Sequence, residues 1–296
     1  MLNCFVYRVF RCLLAALVVA PAAAGYAQQN FANVEIKVHQ VSGNVHYLEG
    51  QGGNVGVLVG DDGVLMVDDQ FAPLSDKLVA AIRTLSDKPI RLLVNTHIHG
   101  DHTGGNANFG AMGVTIVAHD NVRGRMAQGV NNAAPAPAVA LPIVTFGDTL
   151  SLHLNGETIT VGKLPAAHTD GDSYIHFANA DVIHAGDVFR TVGYPGVDFA
   201  NGGTVKGTIE ALQALVDLAG PSTKILPGHG VVSTRDDVAK FRDLTIELER
   251  RISALIEMGM TLEQVVAARP TADLDAQYGS PDRMIPAFYN SIKAGL

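Results

Sequence analysis

The run His97-Ile98-His99-Gly100-Asp101-His102 constrains this chain more than any other feature. Four ligand-type side chains fall within six residues, directly after the apolar strand signal Ile90–Val94 and Asn95-Thr96. On an extended strand end alternate side chains project to one side, so His97 and His99 point the same way. A turn at Gly100 carries Asp101 and His102 round to a second point. Imidazole with carboxylate suits Zn²⁺, and also Fe or Mn. The fold must therefore present the C-terminal end of this strand at an edge with room for a cation.

Three further residues share that setting, at the C-terminal edge of an expected strand. They are His168 in Pro165-Ala166-Ala167-His168-Thr169-Asp170, Asp187 in His184-Ala185-Gly186-Asp187-Val188, and His229 in Pro227-Gly228-His229-Gly230. Each alone reads as a turn histidine or an Asx turn; in this order behind the first run they form a set. His39, His46, His119, His153, His176 and His184 lack ligand spacing and read as surface or satisfied strand residues. Of these, His184 is the one placed to support a ligand, three residues before Asp187.

The rest of the pattern says what carries these residues. Alternation over 34–48 and apolar runs at Val55–Val59, Val64–Val67 and Val114–Val117 read as strands. Gly50-Gln51-Gly52-Gly53 reads as a hairpin turn or a mobile flap. Pro73 opens a helix whose apolar face is Leu74, Leu78, Ile82 and Leu85. The second half repeats this grammar. Strands near 143–164, 173–178 and 181–185 precede a helix from Val205 to Leu218, and a brief strand, Ile225-Leu226, follows. A capping box over Thr234–Asp237 starts a helix carrying Phe241, Leu244, Leu248, Ile252 and Leu255, which Gly259 stops. Strands followed by helices, twice, suggest two sheets packed face to face with helices outside. The Pro/Ala-rich stretch 130–142 reads as a surface crossing within one domain.

Residues 1–27 read as a secretory signal peptide: Arg8 and Arg11, an apolar stretch from Cys12 to Ala24, then the small-x-small site Gly25-Tyr26-Ala27. The apolar stretch is shorter than the ~20 residues a spanning helix needs. Residues 28–296 are then a single exported domain, periplasmic or secreted, with no stable membrane insertion after cleavage. Both cysteines, Cys4 and Cys12, lie in the leader, so that domain has no thiolate as ligand or nucleophile. A net charge of -8 argues against a nucleic-acid partner and leaves a small-molecule substrate.

The HxHxDH run, His168-Thr169-Asp170-Gly171-Asp172-Ser173, Gly186-Asp187 and Pro227-Gly228-His229-Gly230 occur in the order found in the metallo-β-lactamase superfamily. The chain resembles that superfamily over nearly all of 28–296. The resemblance implies an α/β fold, a four-layer αβ/βα sandwich of two mixed β-sheets with outer helices. It assigns His97, His99 and His168 to one metal site and Asp101, His102 and His229 to a second. Asp187 becomes the carboxylate bridging both, and Asp68 a structural support. It further implies two Zn²⁺ ions per chain and hydrolysis by a bridging hydroxide that Asp101 helps to orient.

Gly52-Gly53-Asn54-Val55-Gly56-Val57 and Asp68-Asp69-Gln70-Phe71-Ala72-Pro73 look closest to the exported class-B β-lactamase-like branch. Yet Asp187 stands where Cys-site β-lactamases carry their thiolate. A second site with both His102 and Asp187 is closer to glyoxalase II and the lactonases. The expected substrate is thus a lactone, ester or thioester, with β-lactam amides less favoured. Arg190, in the place of a substrate-binding Lys, is the candidate for a substrate carboxylate. Asn201, in the Gly-rich loop 193–203, is the candidate for a substrate carbonyl. Phosphodiesterase-type hydrolysis and mononuclear-iron persulfide dioxygenase chemistry are the alternatives on the same fold.

Overall fold

The computed structural model describes residues 30–129 and 134–296. The leader, with both cysteines, and residues 130–133 of the Pro/Ala connector lie outside the described residues. Seven strands form the first sheet, in chain order: β1 (Lys37–Ser42), β2 (Val45–Glu49), β3 (Val55–Leu58), β4 (Val64–Val67), β5 (Ile90–Val94), β6 (Thr115–His119) and β7 (Val144–Phe146). Pairing is antiparallel from β1 to β4 and parallel from β4 to β7. The second sheet holds β8 (Thr149–Leu154), β9 (Glu157–Lys163), β10 (Ser173–Phe177), β11 (Val182–His184) and β12 (Lys224–Leu226). Only its last pair, β11 with β12, is parallel.

Helices fill the connections: α1 (Ser75–Arg83), α2 (Gly100–Thr103), α3 (Asn106–Ala111), α4 (Asp120–Gln128), α5 (Val205–Leu218), α6 (Arg235–Glu257), α7 (Leu262–Ala268), α8 (Asp275–Tyr278) and α9 (Met284–Lys293). The period-2 alternation of the strands decides the layering. On β4, Leu65 and Val67 point into the inter-sheet core with Val94, Val117, Ile159, Val161, Ile175 and Phe177. Val64 and Met66 point the other way, onto Leu78 and Ile82 of α1 and Phe109 of α3. The outer face of the second sheet, with Ile183 and Ile225, packs on Leu212 and Leu215 of α5 and Phe241 of α6. The result is the αβ/βα sandwich, and Phe31–Leu296 is one compact unit. No helix among the described residues is long and apolar enough to cross a membrane.

Thr234 and Asp237 form the reciprocal capping box, and Phe241, Leu248 and Ile252 are buried along α6. Beyond Gly259 (φ +81) the chain goes further than the apolar pattern indicated. A second capping box, Thr261 with Gln264, starts α7. Helices α7 and α9 then pack on α6 through Val265, Met284, Ile285 and Phe288, in a cluster that also takes up Tyr194 and Val197. Helix α4 was also unforeseen: it buries only Val122 and Met126, too little to show as a 3.6-residue period.

Strands β4, β5, β9, β11 and β12 end on one edge of the sandwich, and each is followed by candidate ligands or their supports. Asn54 ties the two sheets together there. Its amide nitrogen Nδ2 donates to Pro227 O and Gly230 O (both 2.9 Å), and its backbone N–H to Gly228 O (2.7 Å).

Candidate metal centre

The edge is built on Asp68, which leaves β4 with φ +63 and is fully buried. Its carboxylate accepts three hydrogen bonds of 2.7 Å, from Thr96 N–H, Thr96 Oγ1–H and the Nδ1–H of His102. Since the Thr96 hydroxyl proton goes to Asp68, Thr96 Oγ1 receives the Nδ1–H of His97 at 3.0 Å. Nε2 of His97 and Nε2 of His102 are thereby turned inward. His99 is fixed the other way round: Nε2–H donates to Asp198 Oδ2 (2.7 Å), leaving Nδ1. His168 donates Nδ1–H to Gly196 O (2.8 Å), leaving Nε2.

These nitrogens converge. His99 Nδ1 lies 3.2 Å from His97 Nε2 and 2.9 Å from His168 Nε2. His102 Nε2 lies 3.4 Å from His229 Nε2, which lies 3.2 Å from Asp101 Oδ2. With their protons committed elsewhere, the first three nitrogens cannot hydrogen-bond to one another. Such spacings are those of donors around a shared cation: tetrahedral zinc with bonds of ~2.0–2.1 Å sets its ligands about 3.3 Å apart. Donor atoms group within 4.8 Å as His97, His99, His168, as His97, His102, Asp187 and as Asp101, His102, His229.

Asp187 stands between the groups. Its Oδ1 is 3.2 Å from His102 Nε2 and 3.3 Å from His229 Nε2, while Oδ2 is 3.6 Å from His168 Nε2. Oδ1 is buried and accepts no well-formed hydrogen bond, a position that costs free energy unless a cation faces it. The donor set, all imidazole and carboxylate, fits a binuclear metal site.

The charge states differ between the groups in the absence of metal. Burial, with the neighbouring imidazoles, holds His97 well below the usual histidine range and His168 at about 3, so both are neutral donors. Burial also opposes a charge on His102 and His229, but carboxylates prevail. Asp187 and Asp68 raise His102 well above its usual range, and Asp101 and Asp187 raise His229 to about 8. Burial acts against the Asp101 carboxylate too, yet its bond to His229 brings it down to about 2.

The Gly50–Gly53 connection is a link between antiparallel strands and is pinned rather than free. Gly53 N–H donates to Asp101 O (3.1 Å), and Gln70 Nε2 donates to Gly53 O (2.8 Å). A Cβ on Gly53 would sit 2.2 Å from His102 Cε1. The imidazole cannot retreat, because Asp68 holds its other side. Gly53→Ala is therefore expected to displace His102 and destabilise the protein by about 1–3 kcal/mol, the usual cost of overpacking. Thermal unfolding together with metal titration checks this; a variant that melts and binds metal like the parent would refute the steric reading. Gly228 is as tightly placed, since its Cβ would lie 2.0 Å from Asp187 Oδ1.

The two expected substrate contacts have protein partners of their own. Arg190 Nη2 donates to Asp187 Oδ2 (2.8 Å), so the guanidinium helps to orient that carboxylate, and the side chain stays partly exposed. Asn201 is only 3% exposed. Its Nδ2 donates to Asp198 Oδ2 (2.6 Å), and its Oδ1 accepts from Arg125 Nη1 (3.2 Å), which places it behind His99 rather than in front of the cluster. Asp198 is the important residue that the sequence did not reveal. Arg125, held by Asp170 in a two-pronged pair (2.8 and 2.6 Å), closes that network. His184 is buried and supports the turn before Asp187: Nδ1 accepts from Gly186 N–H, and Nε2–H donates to Asn54 O. His119 likewise caps α4, accepting from Asn121 N–H.

Residues 48–229 match the profile of the Metallo-beta-lactamase superfamily. The chain is 27% identical over 169 residues to a hydroxyacylglutathione hydrolase of Polaromonas sp. (strain JS666); the match covers 54% of this chain and 56% of that relative, little more than half its length. Its fold is similar to that of a metallo-beta-lactamase from Pontibacter korlensis, with TM-score 0.63 and 18% identity over 71% of this chain and 99% of that one. It is also similar to a stereoselective inverting sec-alkylsulfatase from Pseudomonas sp., with TM-score 0.68 and 18% identity over 86% of this chain and 50% of that one.

Proposed function

Because this chain belongs to the metallo-beta-lactamase superfamily, and carries a complete imidazole and carboxylate cluster, we propose that it is an exported dinuclear zinc hydrolase of esters, thioesters or lactones. The observation that carries this reading is the division of the Asp187 carboxylate, Oδ1 toward His102 and His229 and Oδ2 toward His168. The identity to a hydroxyacylglutathione hydrolase supports a carbonyl substrate of this class. The leader-like residues 1–27 support export.

Two zinc ions held there would supply Lewis acidity and water with a pKa lowered to about 7. The protein's part is orientation and charge. His97 and His168 are neutral without any proton having to leave. Asp68 and Asp198 fix which nitrogen of His102 and His99 faces the cluster. Asp101, ionised down to about pH 2, keeps Oδ2 available beside His229 as ligand and proton acceptor. No thiol takes part, since the only cysteines are Cys4 and Cys12.

Metal analysis of the purified protein, followed by assay on lactones, thioesters, esters, β-lactams and phosphodiesters, tests the proposal. About two zinc ions per chain and turnover of carbonyl substrates are expected. Full activity without metal, or one iron per chain with oxygen uptake, would overturn it.

The two halves should also differ in their response to pH. His102 and His229 must each lose a proton before they can bind metal, whereas His97 and His168 need not. The apparent zinc affinity of the Asp101, His102, His229 group should therefore weaken as pH falls below about 8, the value of His229. The His97, His99, His168 group should hold metal to lower pH. Competition against a chromophoric chelator at a series of pH values measures this. Parallel weakening of both sites would contradict the assignment.

A further inference from the structure

We infer that the substrate carries an apolar acyl or alkyl group, and that a cavity beside His99 receives it. This rests on the hydrolytic reading above and names the substrate class. The cavity has a volume of about 410 Å³, at the lower end of the ~300–1,000 Å³ typical of small-molecule pockets. Ile98, Ala107, Met126, Ala136, Pro137 and Ala140 line it. Its floor belongs to the apolar cluster of Ile98, Val122, Met126 and Ala140, so the wall continues into packed core. The small side chains of four alanines, Ala134 among them, leave the space open.

Among the described lining residues, the chemistry disfavours a charged occupant. Among the lining residues His99 is the only titratable side chain, and its Nε2–H is already given to Asp198. Thr103 also borders the cavity, but its hydroxyl turns back to Ile98 O and His99 O, so it offers no free donor. Nothing there complements a carboxylate or a phosphate. No arginine is among the lining residues, and Arg125, on the helix that carries Met126, is paired with Asp170.

A shared residue links the cavity to the metal cluster and points to the occupant. His99 lines the cavity and also aims Nδ1 at His97 and His168. Gly100, at the same border, would point a Cβ into open space. A carbonyl placed at the cluster can therefore extend an apolar tail past His99 and Gly100 onto Met126. Apolar area removed from water supplies the binding, and the alanines set the usable length.

Two measurements on the zinc-loaded protein test this. In protein labelled at the methionine methyl carbons, titration with hexanamide, a neutral probe, should shift the Met126 methyl resonance saturably. Met126→Leu assigns that resonance. Met66 and Met284, packed in other clusters, should stay unmoved. In a thioester series from acetyl to hexanoyl, kcat/KM should rise about fourfold per methylene, mainly through KM. Ala136→Phe and Ala107→Leu, at two half-exposed positions, should each flatten that rise. An unresponsive Met126, a flat series in the parent protein, or an unchanged slope in both filled variants would overturn the inference. A saturable Met126 shift without hydrolysis of any carbonyl substrate would support the apolar site and overturn the hydrolase reading instead.

Discussion

In the zinc-loaded protein, Asp187→Asn is expected to lower kcat/KM by at least about 100-fold and to leave close to one zinc ion per chain. The expected asymmetry follows from Arg190. Its Nη2 donates to Asp187 Oδ2 and needs an oxygen there, so the new amide keeps its oxygen on that side. The NH₂ group then replaces Oδ1 and turns its protons toward the Nε2 atoms of His102 and His229. An amide nitrogen offers no lone pair to a metal and adds donors where acceptors are required. The Asp101, His102, His229 group loses its ion, and the His97, His99, His168 group keeps one. Loss of a direct ligand should exceed the 10–100-fold typical of residues that merely orient ligands. Metal analysis and steady-state kinetics on one preparation check both parts; a variant retaining two zinc ions and most of its activity would show that Asp187 does not bridge.

Asp68→Asn reaches the same ion from behind. Asn tolerates the φ of +63 at this position, so the backbone is spared and only the hydrogen bonding changes. A carboxamide has one oxygen for three donors: Thr96 N–H, Thr96 Oγ1–H and His102 Nδ1–H. If its NH₂ meets Nδ1 of His102, the imidazole must move its proton to Nε2, the atom that should face metal. We expect zinc affinity at the second site to fall about 10–100-fold. A fully buried donor left without an acceptor should cost about 1–3 kcal/mol of stability. Asp68→Ala should be worse, because the strain of the left-handed backbone is added. Zinc titration and thermal unfolding of the metal-free forms separate the effects. Unchanged affinity in Asp68→Asn would mean that the tautomer of His102 is set elsewhere.

What the sequence made legible was whatever is written locally. The HxHxDH run follows a strand because β5 is short and apolar, and the apolar run Val64–Val67 marks β4 although burial on both faces leaves it no alternation. The capping box at Thr234 and the spacing of Phe241, Leu248 and Ile252 likewise record one helix in one window. Asp198 left no such trace. It lies 99 residues from the His99 it orients, in a loop without periodicity. Arg190 and Asn201 were located in the right neighbourhood, but the direction of a long or polar side chain depends on partners that only the tertiary structure supplies. Helices α7 to α9 were overlooked for a related reason: their apolar residues match the flank of α6 and Tyr194, not a sheet.

The packing of Tyr194 and Val197 bears on when the centre comes into being. Tyr194 Oη–H donates to Asp275 Oδ1 (2.9 Å), and the loop that follows supplies Gly196 O to His168 and Asp198 to His99. Val205 N–H, at the start of α5, donates to Ser291 Oγ (3.0 Å). All seven donors, and the Gly196 and Asp198 that aim two of them, have thus been synthesised by His229, while Asp275 and Ser291, which anchor the segments on either side of that loop, arrive up to some sixty residues later. A growing chain holds the ingredients of the centre well before it holds the geometry. On the two-metal reading, capture of metal is expected late in folding, after the last helix has docked, so that an ion seals a finished molecule rather than seeding its collapse.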